Sequence, residues 1–270
     1  MPDDAKQEEA EQRSSPSGEI VYRAIHKEGD DELKRSTSAL AWSGLAAGLS
    51  MGFSVVAQAL LQAGLPDAAW RPLIVSFGYS VGFLIVVLGR QQLFTENTLT
   101  VILPLLQRKD AYTLRNVARL WTTVFLANLA GGFLFAWAMA KTPALDDGAR
   151  RAAIQLAEGS MAGGFGSILL RGIFAGWLIA MMVWLLPFAE AARVWVIIIL
   201  TYVVGLAGFS HIIVGSIEAM FLAFGGYMAP VECVTHFIVP AFLGNCIGGV
   251  ALVAAINHAQ LVAGGGGVDV

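Results

Sequence analysis

The length of its apolar runs narrows this chain more than any other feature. A helix that crosses a bilayer needs about 20 predominantly apolar residues, and the stretches 39–62, 72–106, 117–140, 172–189, 194–224 and 237–259 meet that requirement. The second and fifth are too long for one crossing, because as continuous helices they would be rods of roughly 50 Å and 45 Å in a hydrocarbon core near 30 Å. Neither is long enough for two crossings and a turn. The economical reading is an all-α membrane protein of six spans in which the second and fifth are broken partway. Each break carries polar groups, in GRQQLFTENT (89–98) and GLAGFSH (205–211). Irregular backbone at membrane depth is tolerated only where protein or a watery cavity satisfies its freed N–H and C=O groups. Both breaks therefore point to a buried polar path.

Composition agrees, with 56% hydrophobic and 14% charged residues, the balance of a membrane protein. Ten of the 20 acidic residues lie in residues 1–38, so this segment is read as a separate, water-facing tail, 39–259 as the spanning domain and 260–270 as a flexible C-terminal tail. The N-terminus lacks the basic start, apolar stretch and cleavage site of a signal peptide and is expected to stay on the mature protein. SSPSG (14–18) reads as a linker, and GGGG (264–267) as a flexible end. Residues 19–25, with Ile20, Val21, Tyr22 and Ile25, suit either a short amphipathic helix on the membrane surface or a disordered tail. Eleven of the 17 Lys and Arg fall in the tail and in the loops after spans two and four, which predicts cytoplasmic termini. Trp42, Trp70, Trp121, Trp137, Trp184 and Trp195 lie near run ends, as interfacial anchors do.

An internal repeat supports the six-span count. FLANLAGG (125–132) matches FLGNCIGG (242–249) at an offset of 117 residues, and the same offset lays Phe94 of the first break over His211 of the second. Each half then holds three spans, and an odd number inverts one half relative to the other. Inverted repeats of this kind bring their broken helices together near the midplane, where the transported species binds. Glycines four apart, as at Gly44, Gly48 and Gly52 or at Gly172 and Gly176, give faces on which helices approach closely, within or between protomers. Asn128 and Asn245, with Gly208 and Gly215, are expected to be structural at the broken helices.

LFTENT (93–98), GFSH (208–211), ARLWTTVFLANLAGG (118–132) and VPAFLGNCIGG (239–249) together resemble the formate/nitrite transporter family, over 39–259. The resemblance implies an aquaporin-like protomer, a homopentamer with a pore in each protomer, and a place in a bacterial inner membrane. Leu93 and Phe94 match the family's hydrophobic constriction, His211 its central pore histidine, and Thr95 the threonine facing it. Members move small monovalent anions such as formate, nitrite, lactate or hydrosulfide, some together with a proton. The chemistry of the residues fits: an anion entering an apolar constriction loses hydration at a cost unless it is protonated or paired, and histidine can attract it as a cation or donate N–H as a neutral ring.

Several positions depart from the family pattern. Arg90 and Gln91 stand where members carry Gly and a small residue, Gln92 replaces an acid, and Glu96 supplies one on the other side of Leu-Phe-Thr. Gly215 and Gly176 stand where Asn is usual, and Glu218 follows in the fifth span. An unpaired charge at the centre of a membrane helix costs about 2.5–3.5 kcal/mol on insertion scales, which makes Arg90 with Glu96 the first candidate pair; alternatively Arg90, Glu96 and Glu218 reach an interface or vestibule. Arg171 is expected at the outer mouth, gathering anions or snorkelling.

Other chemistries have little support. Cys233 and Cys246 would lie about 20 Å apart on one helix and should not pair. The four histidines, His26, His211, His236 and His258, show no metal spacing, and no phosphate loop or nucleophile elbow appears. No enzyme, cofactor or metal is expected, and with a net charge of −3 and an acidic tail, no nucleic acid. Two other classes remain open: a neutral-solute channel of aquaporin type, although its paired Asn-Pro-Ala stretches are absent, and a non-transporting sensor or scaffold working through the tail.

Overall fold

The computed structural model describes residues 17–263, which are helical with no strand among the described residues. In chain order the helices are α1 (Gly18–Lys34), α2 (Thr37–Gly64), α3 (Arg71–Leu88), α4 (Ile102–Arg108), α5 (Ala111–Lys141), α6 (Asp147–Ser160), α7 (Phe165–Leu185), α8 (Arg193–Leu206), α9 (Ile212–Gly225) and α10 (Pro230–Gln260). By length and composition, α2, α3, α5, α7 (continued to Phe188) and α10 can each cross a membrane, and α9 is a shorter apolar helix. Both overlong runs are interrupted: the second becomes α3, an irregular segment over 89–101 and α4, and the fifth becomes α8, a turn over 207–211 and α9. The glycine run 264–267 and residues 14–16 of the expected linker lie outside the described residues.

Local chemistry explains where the helices begin and end. Side chains of Ser36, Asp110 and Asp146 accept hydrogen bonds from the first-turn amides of Ala39, Thr113 and Ala149, the preferred way to satisfy orphan N–H groups at a helix start. Arg150 of α6 donates to the carbonyls of Met139, Ala140 and Thr142 at 2.8–2.9 Å, closing the carbonyl end of α5. Gly208, at φ +63°, takes the left-handed backbone that turns the chain after α8, which glycine adopts without penalty.

Helices pack closely through the glycine faces, and within one chain. A Cβ on Gly48 would lie 2.1 Å from the Asn128 carbonyl oxygen, and one on Gly176 would lie 2.4 Å from the Asn245 carbonyl oxygen. The same contact thus joins α2 to α5 and α7 to α10. It also gives a physical reason for Gly176, since no side chain fits there.

Two expectations change. Residues 19–25 are part of a 17-residue helix, and Tyr22, Ile25 and Leu33 are buried in the protein core, so α1 is a helix docked on the protein rather than a disordered tail. Arg119 of α5 donates to the Leu33 and Arg35 carbonyls at 2.8 and 2.9 Å and ties down its end. Trp121 is not an end-of-run anchor: its indole N–H donates to the Asn97 carbonyl at 3.1 Å, and its ring packs edge-on against Phe94. Trp42, Trp70, Trp137 and Trp195 are exposed.

Candidate functional site: a constriction between two cavities

The two breaks meet. Thr95 Oγ1 lies 2.9 Å from His211 Nε2, and both residues are buried. His211 precedes α9 as its cap, with Nδ1 accepting the Val214 N–H at 3.3 Å. With Nδ1 an acceptor, the neutral ring carries its proton on Nε2 and donates it to Thr95. Phe83 stands edge-on to the imidazole, ring centres 5.0 Å apart.

Leu93 and Phe94, next to Thr95 in the first break, are fully buried. Phe94 is held by Trp121, Phe125 and Phe242 at 5.0–5.3 Å between centres, and Phe125 and Phe242 are the leading residues of the repeated FLANLAGG and FLGNCIGG stretches.

Each break is pinned by an asparagine making the same three bonds. The Asn128 side chain accepts from Phe94 N–H and donates to the Gly44 and Gln92 carbonyls, whereas Asn245 accepts from Ile212 N–H and donates to the Gly172 and Ser210 carbonyls. Backbone groups freed by the breaks are thereby paired, as an apolar surround demands. Phe94 is 34 residues from Asn128, but Ile212 is 33 from Asn245. The break residues therefore correspond at an offset of 118, so Leu93 rather than Phe94 is the counterpart of His211, because one extra residue separates break from asparagine in the first half.

A cavity lies on either side. One of about 260 Å³ is lined by Ser160, Arg171, His211, Gly215 and Glu218, together with Gln58 and Tyr79; here it is called the α6-side cavity. The other, of about 340 Å³, is lined by Glu28 and Glu32 of α1, by Arg90, Gln91, Gln92 and Glu96 of the first break, and by Arg193; it is the α1-side cavity. Helix α8 starts at the second cavity with Arg193 and reaches the first at Val204, about 17 Å further on.

The charged candidates distribute differently from the expected pairing. Arg90 does not pair with Glu96; its guanidinium meets Glu28 of α1 at 3.1 Å, and the left-handed backbone of Arg90 turns it outward, where it is exposed. Glu218 is buried beside Ser160, and Arg171 donates to the Ala162 carbonyl at 2.9 Å. A side chain at Gly215 would run into the Phe237 ring, so an asparagine has no room there.

Sequence reasoning missed Phe83 against His211, and Tyr79, Gln58, Glu28 and Glu32 at these cavities, since nothing in their local spacing separates them from core or tail residues. Phe125 and Phe242 were in view as a repeat, but their convergence on Phe94 was not.

The formate/nitrite transporter family model matches residues 19–259. Among curated proteins, the inner membrane protein YfdC of Escherichia coli (strain K12) is 38% identical over 241 residues, covering 89% of this chain and 78% of that protein. The formate channel BtFdhC of Bacillus thuringiensis is 25% identical over 246 residues, 87% of this chain and 92% of that one. Among solved structures, an FNT family ion channel superposes with a TM-score of 0.74 at 17% identity, covering 89% of this chain and 98% of that one. A pentameric formate channel with formate bound gives 0.66 at 20% identity, over 84% and 98%. With a family match that takes in both breaks, both asparagines and the docked α1, this integral membrane chain belongs to the formate/nitrite transporter family.

Proposed function

We propose that the protein conducts small monovalent anions of the formate, nitrite, lactate and hydrosulfide class, with a proton, through a path inside each protomer. The observation that carries this reading is the buried Thr95–His211 pair beside the Leu93–Phe94 closure, with a cavity on either side. Hydrated ions are stopped by Leu93 and Phe94. An anion that sheds water there needs compensation, which the His211 N–H or a transferred proton supplies. Arg171 draws anions to the α6-side mouth, Glu218 tunes that cavity, and Arg90 and Glu96 line the opposite one. Asn128 and Asn245 hold the breaks in place, helped by Gly208 at its turn and by Gly215 under Phe237.

In this reading the chain forms six spans in two inverted halves, with 1–38 and 260–270 as cytoplasmic tails around the 39–259 transport domain. It assembles as a homopentamer, in keeping with the pentameric formate channel it resembles, and resides in a bacterial inner membrane, as YfdC does by its name. The twice-repeated asparagine bonding supports the inverted halves.

The test is uptake of the four anions into proteoliposomes across a pH series, wild type beside His211→Asn. Selective flux whose pH dependence flattens in the variant is expected. Absence of flux above empty liposomes for all four, from folded pentamer, would overturn the proposal.

A further inference from the structure

The α6-side cavity carries an acid on the path of an anion. Glu218 lines this cavity together with His211 and is 4% exposed. It follows His211 by seven residues, which places the two on nearly the same face of α9, about 10 Å apart along its axis. As a carboxylate Glu218 would repel the anion that Arg171 draws in, and no cation balances it: the Arg171 guanidinium is bonded to the Ala162 carbonyl at 2.9 Å. Its neighbours Ser160 of α6 and Tyr79 of α3 are uncharged hydroxyls. An unpaired charge within a membrane segment is costly, and carboxyls retained there serve as proton carriers in pumps and transporters. The other titratable and charged groups packed around α9 do not fill that role. Cys233 of α10 donates its thiol to the Ala219 carbonyl at 3.3 Å, His236 is bonded to the Met161 carbonyl at 2.9 Å, and Arg151 and Glu158 of α6 are exposed. To the lining of the cavity α2 contributes Gln58 and α5 nothing, so among the described residues Glu218 is its one carboxyl.

We propose that Glu218 is the proton donor to the solute in the α6-side cavity, protonating the anion before it meets the apolar residues Leu93 and Phe94. The proposal rests on the transport reading and names the source of the proton that reading calls for. The carboxyl O–H bond of Glu218 breaks, its proton forms the O–H bond of the undissociated acid, and the carboxylate left behind takes a proton from water at the α6-side mouth. The neutral acid then enters apolar surroundings without the desolvation cost of an ion, and His211 has only to donate a hydrogen bond while keeping its own proton. In outward passage the same steps run in reverse, with Glu218 accepting the proton. The cavity volume of about 260 Å³ leaves room for a small anion and several water molecules, each of which occupies about 30 Å³ in the liquid.

The experiment is formate uptake into proteoliposomes at pH 7.5 and 5.5, with empty liposomes subtracted, for wild type, Glu218→Gln and Glu218→Asp. Glutamine keeps the shape of the side chain but has no proton to transfer. Its flux should be about tenfold or more below wild type at pH 7.5 and within about threefold at pH 5.5, where the solution itself supplies about a hundredfold more undissociated formate. The pH dependence therefore steepens in Glu218→Gln, whereas it flattens in His211→Asn. Glu218→Asp, which still carries a proton, should stay within about threefold of wild type at both pH values. Because each preparation is compared with itself at two pH values, the steepening does not depend on how much of the variant is folded. An equal loss at both pH values, or undiminished flux in the glutamine variant, would overturn the proposal. If that variant does not assemble, wild type answers alone: dicyclohexylcarbodiimide, which adds to protonated carboxyls in apolar surroundings, should label Glu218 and stop formate flux, and flux that survives labelling, or a Glu218 that stays unlabelled, overturns it. The two claims fail differently. Absence of flux of all four anions in wild type rejects the transport reading and the proton donor with it, while wild-type formate flux with an unaltered pH profile in Glu218→Gln rejects the donor alone.

Discussion

Arg90 carries a backbone angle that glycine adopts without penalty, φ +52°, at a position where the family resemblance expects Gly. A non-glycine residue held there costs about 1–3 kcal/mol. What the arginine gains in return is an exposed pair with Glu28, 3.1 Å away, and exposed pairs contribute about 0–1 kcal/mol. Replacing Arg90 by Gly should therefore leave thermal stability unchanged or slightly raised, whereas Arg90→Ala keeps the strained backbone, loses the pair and should be less stable than the Gly variant by about 1 kcal/mol. Unfolding of the two variants side by side in detergent decides it; equal stability would mean that the backbone there is unstrained. Gly215 and Gly176 show the opposite kind of departure, for at both the neighbouring helix leaves no volume for the expected side chain.

Helix α1 is held to the rest of the chain by contacts scattered along the sequence. Gly29 lies so near the Thr100 carbonyl that an added Cβ would sit 2.1 Å from it, Tyr22 Oη is 2.9 Å from His258 Nδ1, and Arg108 meets Asp30 at 2.7 Å. His26 lies within this contact, 3.7 Å from Asp30. Burial pushes its imidazole below the ordinary value of 6.5, and Asp30 only partly restores it. Because the docked form binds a proton less readily than the free one, docking is strongest above about pH 6.5 and weakens as acid protonates His26 below it. Glu32 acts in the opposite sense, since burial raises its carboxyl and acid relieves that cost. Hydrogen exchange over 18–34, corrected for intrinsic rates, should rise between pH 7.5 and 5.5 in wild type and more clearly in Glu32→Gln. This dependence should diminish in His26→Gln and disappear only when His258, 2.9 Å from Tyr22 in the same contact, is replaced as well; unchanged pH dependence in His26→Gln would exclude His26 as the cause.

The constriction, both cavities and the asparagines that hold the breaks all come from one chain. If the path lies inside the protomer, pores in an oligomer act independently. Thr95→Trp fills the constriction, and co-assembly of wild-type with blocked protomers should lower anion flux in proportion to the blocked fraction. A much steeper fall, with one blocked protomer silencing its neighbours, would point to a path shared between subunits. The exposed apolar side chains, such as Leu126, Leu170 and Ile199, suit lipid or a neighbouring protomer equally.

Much of this was legible before any coordinates. Two runs too long for a membrane had to break, and buried breaks had to find hydrogen-bond partners, so the polar stretches 89–98 and 205–211 stood out; Thr95 and His211 within them were picked out by the family resemblance, and the repeated asparagines suggested what holds the breaks. These features follow from local chemistry and the thickness of a bilayer, which apply whatever the fold. The one-residue shift in the repeat, the partner of Arg90, the docking of α1 and the neighbours of Glu218 were not legible. Each depends on which side chains arrive together from positions tens of residues apart, and hydropathy and spacing do not encode that. The chain alone determined that a polar path crosses a bilayer; only tertiary packing decided which charges are paired along it and which are left facing the cavity.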